Sequence, residues 1–173
     1  MSAVEYAVFR ILRLFRKLPV NPLSFPNQKV IFSEFFVDFG KVEAVKGIFG
    51  DKTNEVLSHL KVELSWIGGY MYVYGADGHL VISKGYLSTG CKTDIYLDLI
   101  HELCHVRQFQ EGKELFDPRY DYVDRPTEIE AYRYAVKEAK RIGYTEQQII
   151  RYLQTEWMDA EDIQRLVKNI GTL

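Results

Sequence analysis

Residues 100–112 read Ile-His-Glu-Leu-Cys-His-Val-Arg-Gln-Phe-Gln-Glu-Gly, and the reading of this stretch decides most of the rest. It lies in a helical pattern over residues 93–111 that Gly112 stops. His101 and His105, four residues apart, project from one face of that helix, so both imidazoles can reach one metal ion at about 2.1 Å. Glu102 stands beside them as the group able to take a proton from a water that the metal activates. Ile95, Leu99, Leu103 and Val106 occupy the other side, which sandwiches the helix in the core. Two histidines and a glutamate buried there without a task would be costly. The expectation is a Zn²⁺ site with Glu102 as general base.

An open zinc site takes three protein ligands and leaves one position free. The chain has four histidines and none follows His105. His59 and His79 lie upstream and read as surface or strand residues, so the third ligand is expected to be a downstream carboxylate. Residues 125–135 offer Glu128 and Glu130. Advancing about 100° per residue along a helix, Ala131, Tyr132, Ala135, Ala139 and Ile142 cluster around the direction of Glu128. Glu130 shares its direction with Tyr134, Lys137 and Arg141, a polar face. It also fits a capping box with Thr127. Phase therefore favours Glu128, with Glu130 as the alternative.

Outward from the motif, residues 29–39 are rich in Val, Ile and Phe and read as a strand. Residues 41–49 and 53–60 read as short helices divided by Gly50-Asp51. Residues 61–67 alternate, Gly68-Gly69 breaks the run, and residues 70–74 and 79–83 flank the turn residues Gly75-Ala76-Asp77-Gly78. After the metal-site helix comes a polar, aromatic loop. A second long helix over 126–142 follows, then a third capped by Thr145 with Gln148 and a fourth opened by Asp159. Strands first and helices after predicts an α+β fold. It would be a small mixed or antiparallel sheet, then the metal-site helix and a C-terminal helical subdomain.

The chain has 173 residues, 22 basic and 24 acidic. That is the balance of an ordinary globular domain and argues against nucleic acid as a partner. Two cysteines, Cys91 and Cys104, build no disulfide framework and fit a reducing, cytoplasmic setting. No apolar run reaches the roughly 18 residues that a membrane span needs. Residues 2–18 carry Arg10, Arg13, Arg16 and Lys17 within and after the apolar positions, unlike a signal peptide. They read as an amphipathic helix opened by a Ser2/Glu5 capping box. The helix either packs on the domain through Val4, Val8, Ile11 and Phe15 or meets a membrane surface or partner. Pro19, Pro22 and Pro26 mark residues 19–28 as a linker, leaving 29–173 as the main domain.

HExxH followed by a helix carrying Glu-x-x-Ala (Glu128 to Ala131) resembles the gluzincin metallopeptidases, and the compact size is similar to the soluble archaeal minigluzincins. The match covers about residues 97–135. The resemblance implies a zincin-like fold and a zinc metalloendopeptidase acting on a peptide or protein substrate. It also points to Tyr120 or Tyr122, shortly before Glu128, as a donor to the oxyanion. In many gluzincins an Asp after Glu-x-x-Ala orients the first His, and here Tyr132 stands in that place. Asp94 and Asp98, on the metal-facing side of the helix, are the substitutes expected from spacing. A regulatory module acting on one protein partner, or a latent metal-binding domain, would carry the same motif.

Overall fold

The computed structural model describes residues 3–19, 21–66 and 69–171. Nine helices and four strands among them form a mixed α+β fold. The metal-motif segment is helix α6 (Lys92–Gln110), and everything else is arranged around it. Thirteen of its 19 residues are buried, including His101, Glu102 and His105.

The sheet is made of β1 (Lys29–Ile31), β2 (Lys61–Ser65), β3 (Met71–Val73) and β4 (Leu80–Ser83) in the spatial order β1-β2-β4-β3. β1 and β3 pair antiparallel with their neighbours, while β2 and β4 run parallel. The interior strand β4 is the most apolar, with Leu80, Val81 and Ile82 all buried. Edge strand β3 lies against α6. Its turn into β4 contains Gly78 at φ 73°, where a Cβ would collide with the Phe109 ring of α6. Only glycine meets both demands there, the left-handed backbone and the close approach.

The strand expected over residues 29–39 is corrected: only Lys29–Ile31 is extended. Helix α2 (Phe32–Phe35) and a 3-10 turn at Phe39–Lys41 replace the remainder. Phe32, Phe35, Phe36 and Phe39 recur at helical spacing, and all four are buried. Phe32, Phe36 and Phe39 pack edge-on or tilted with centroids 4.8–5.7 Å apart. Phe39 also meets Tyr96 of α6 at 5.9 Å. Burial of a phenylalanine cluster outweighs the strand propensity of the segment.

Helices α3 (Glu43–Phe49) and α4 (Thr53–His59) stand where short helices are expected. They lie between β1 and β2, so helices and strands interleave rather than follow in two blocks. Helix α5 (Lys84–Thr89), capped by the Ser83 hydroxyl, joins β4 to the turn before α6. Helix α1 (Ala3–Leu14) docks by Ile11, with Phe15 just past its end inserted against Phe36 and Phe39 at 5.9 and 6.2 Å. Val8, expected on the packed side, is exposed instead. Ser2, Ile67 and Gly68, and the side chains of Val4 and Glu5, lie outside the described residues. The Ser2/Glu5 capping box is therefore outside them too.

After α6, Lys113 N–H donates to Gln108 O across Gly112 (φ 74°), a Schellman closure. Helix α7 (Pro126–Arg141) has Pro at its first turn and ends the same way, at Gly143. Ala131, Ala135 and Ala139 are fully buried along α7, which lets it approach α6 closely. Helices α8 (Glu146–Leu153) and α9 (Ala160–Ile170) begin at Thr145 and Asp159 as expected. Arg133 of α7 donates to the last carbonyls of α9, at Asn169 and Ile170. Asn169 in turn donates to Val123 O and Asp124, which ties α9 to the 3-10 turn Tyr122–Asp124. Among the described residues no helix is long and apolar enough to cross a membrane.

Candidate metal centre

His101 and His105 lie on consecutive turns of α6, and Glu128 lies in the first turn of α7, facing them. The two Nε2 atoms are 2.9 Å apart. Glu128 Oε2 is 3.2 Å from His101 Nε2 and 3.4 Å from His105 Nε2. A tetrahedral ion with bonds of about 2.1 Å sets its ligand atoms roughly 3.4 Å apart, so the triangle has the required size. All three residues are buried, and no other such group of His, Cys, Asp and Glu occurs among the described residues. Glu128 Oε2 is itself fully buried and has no hydrogen-bond partner among them. Three electron-pair donors converge on one point that nothing else among the described residues satisfies. This buried His-His-Glu group can hold a metal ion.

Electrostatics point the same way. Burial pushes the Glu102 carboxyl up to about 8; the Glu128 and Asp98 charges reinforce it, while His105 and a backbone N–H bond from Val73 oppose it. Burial would raise Glu128 as well, but its contacts with His101 and His105 outweigh that and hold it well below the usual carboxylate range. Burial lowers His101. It would lower His105 too, yet Glu128 and Glu102 carry that imidazole up to about 9. An ionised Glu128 facing two imidazoles, with Glu102 beside them, is a buried donor set that a divalent cation fits.

His105 is oriented from behind. Its Nδ1–H donates to Gln108 Oε1 at 2.7 Å. Gln108 Nε2 donates to Thr127 O at 3.0 Å and to Glu130 Oε2 at 2.8 Å, which fixes the direction of the amide. Glu130 is anchored further by Arg107 at 2.6 Å and Lys113 at 3.2 Å. The Thr127/Glu130 capping box is therefore corrected: Thr127 Oγ1 donates to Leu115 O, and Glu130 serves the support of His105. On Glu128, the Arg125 guanidinium lies 3.7 Å from Oε1, leaving Oε2 to face the imidazoles.

His101 has no equivalent support. Its Nδ1 is buried without a hydrogen-bond partner among the described residues, and Tyr132 packs its ring edge-on at 4.4 Å. Asp98 accepts from Tyr86 and Tyr152, and Asp94 from Tyr144, so neither expected substitute reaches His101. Cys104 is buried off the site, with Arg107 beside it. His59 is exposed and turns back to Glu55 O, while His79 is buried among Asp77, Glu63 and Lys29.

A cavity of about 180 Å³ opens over the metal group. Met71, Tyr72 and Val73 of β3 line it, together with Leu115, Phe116, Tyr122 and Trp157. Tyr122 is in the cleft and Tyr120 is not; Tyr120 stands exposed beside Arg119. Burial holds the Tyr122 phenol well above its ordinary pKa, so it stays an O–H donor, 2.9 Å from the Tyr132 oxygen. Trp157, 56% exposed, packs between Tyr70, tilted at 5.9 Å, and Tyr122, edge-on at 6.3 Å. The sequence reading missed Trp157, Phe116 and Gln108. Gln108 alone left a signal, one turn past His105 on the same face.

No family model, no curated protein and no solved structure matches this chain.

Proposed function

We propose that this chain is a zinc-dependent metallopeptidase of the gluzincin type, with a zincin-like catalytic core. The observation that carries the reading is the His101–His105–Glu128 triangle with the Glu102 carboxyl beside its open side. Zn²⁺ held by these three residues supplies Lewis acidity, polarising a carbonyl and acidifying water. Two histidines and one carboxylate also suit non-haem Fe(II). A carboxylate that lines the cavity beside the ligands, Glu102, is the group that hydrolysis requires, and it favours zinc.

In the reaction, Glu102 takes the proton of the attacking water and delivers it to the leaving amine. The Val73 N–H bond keeps the carboxyl against β3, next to the substrate path. Tyr122, protonated and pinned by the α9 contacts to its turn, donates to the developing oxyanion.

Extended substrate adds to the edge of β3. Tyr74 N–H donates to His79 O and Ser83 N–H to Tyr70 O, so residues 70, 72 and 74 point their backbone groups at β4. Met71 and Val73 point theirs away from it; the Val73 N–H is taken by Glu102, so both Met71 groups and the Val73 carbonyl are what a substrate strand meets. A cavity of about 180 Å³ admits one side chain, and its Met, Leu, Phe and Trp lining selects an apolar one.

The test is Glu102→Gln. The variant should bind zinc as tightly as the wild type, by metal analysis of the purified protein, and should lose hydrolysis of an unstructured protein substrate. Hydrolysis retained by the variant removes the assignment, and iron in place of zinc redirects it to redox chemistry.

A further inference from the structure

Helix α1 has a second apolar face that the fold does not use. Its inner side is spent on Ile11, with Phe15 one residue past its end, both buried against the aromatic cluster. Val8, Phe9 and Leu12 lie on the outer side with 37%, 55% and 48% of their surface exposed. At positions i, i+1 and i+4 they form one short continuous stripe.

Beyond Glu5, the charge along this segment is of one sign. Between Tyr6 and Leu18 the chain carries Arg10, Arg13, Arg16 and Lys17 and no acid, although its net charge is −2. All four cations are exposed. Arg16 is partly answered by Asp38 at 3.6 Å. Under α1 a cavity of about 510 Å³ is lined by Arg10, Arg13, Lys41 and Arg141 with the acids Asp38 and Glu43, and there Lys41 pairs with Asp38 and Arg141 with Glu138.

From this arrangement we propose that α1 docks the protein on an anionic lipid bilayer, with Phe9 and Leu12 inserted and the arginines on the headgroups. A protein partner fits less well. A stable protein interface takes about 800 Å² and some 20 residues from each side, and a stripe of three apolar side chains ringed by cations does not approach that. A bilayer asks only for a few inserted apolar residues and excess positive charge, because the lipid shapes itself to the helix. A short helix with two inserted apolar side chains gives an attachment that is peripheral and reversible. It is independent of the metal chemistry and stands if the peptidase reading fails.

Co-sedimentation of the full chain with vesicles tests the proposal. Vesicles of phosphatidylcholine doped with phosphatidylserine should pellet the protein, with partition at least about tenfold above phosphatidylcholine alone and falling as salt rises. Phe9→Ser with Leu12→Ser should cut the partition about tenfold or more. Arg10→Gln with Arg13→Gln should remove the preference for phosphatidylserine. Both pairs are exposed, and circular dichroism and zinc affinity should match the wild type. Protein left in the supernatant with phosphatidylserine vesicles overturns the proposal, as does equal pelleting of the wild type and the Phe9/Leu12 variant. A concentration-dependent dimer that the same variant abolishes, without vesicle binding, overturns it in favour of a second copy of the chain.

Discussion

Gln108 reads His105 and Glu130 at once, accepting from the imidazole Nδ1 at 2.7 Å and donating to the carboxylate Oε2 at 2.8 Å. The amide joins a metal-facing histidine on α6 to α7, the helix that supplies Glu128. Gln108→Leu should therefore lower metal affinity by about 10- to 100-fold, the usual cost of losing such a support. Competition with a chromophoric chelator measures it. Affinity unchanged in the variant would mean that packing alone orients His105.

Glu128 and Glu130 differ in what they face, and metal content separates them. Glu128→Ala should lose the bound metal, while Glu130→Ala should retain it with weaker affinity. In the wild type, metal at a hundredfold excess over its dissociation constant adds about 2.7 kcal/mol of stability. Chelation should then lower Tm by roughly 5–10 °C in a chain of this length. A Glu128→Ala protein whose Tm is insensitive to chelator, beside a sensitive Glu130→Ala protein, is the expected pattern.

Asp98 provides a pH signature away from the ligands. Although Tyr86 and Tyr152 donate to it, burial pushes its carboxyl up to about 6. The unfolded value is near 3.9, so the folded state holds the proton more tightly. Ionised Asp98 costs the fold stability above pH ~6, and the cost disappears as pH falls toward ~4. The amount is at most about 3 kcal/mol. Urea unfolding of wild type and Asp98→Asn, both in excess chelator, should show wild-type stability rising relative to the variant over that window. A difference independent of pH would contradict the shift.

Phe39 is fully buried and touches Phe15, Phe32, Phe36 and Tyr96. Phe39→Ala should cost about 3–5 kcal/mol and lower Tm by roughly 10 °C, read by thermal circular dichroism. A loss of only a few tenths of a kcal/mol would show that the cluster repacks around the gap.

The local part of this protein was legible without its fold. Spacing of four on a helix puts His101 and His105 on one face whatever surrounds them, and Gly112, Gly143, Thr145 and Asp159 mark helix ends by backbone chemistry that needs no partner. The alanine stripe on α7 even selected Glu128 over Glu130, because helical phase is also local. Residues 29–39 misled because β propensity and aromatic burial compete there, and only the packing of Phe15 and Tyr96 around them settles the contest. The tertiary structure alone decided what depends on distant segments meeting. It brought Glu128 to 3.2 Å from His101, set Gln108 between His105 and Glu130, and carried Trp157 from the α8–α9 loop to the cleft. It also left His101 Nδ1 without a hydrogen-bond partner among the described residues, with the Tyr132 ring packed on the imidazole. Such contacts join residues tens of positions apart, and no period in a single chain encodes which of them will touch.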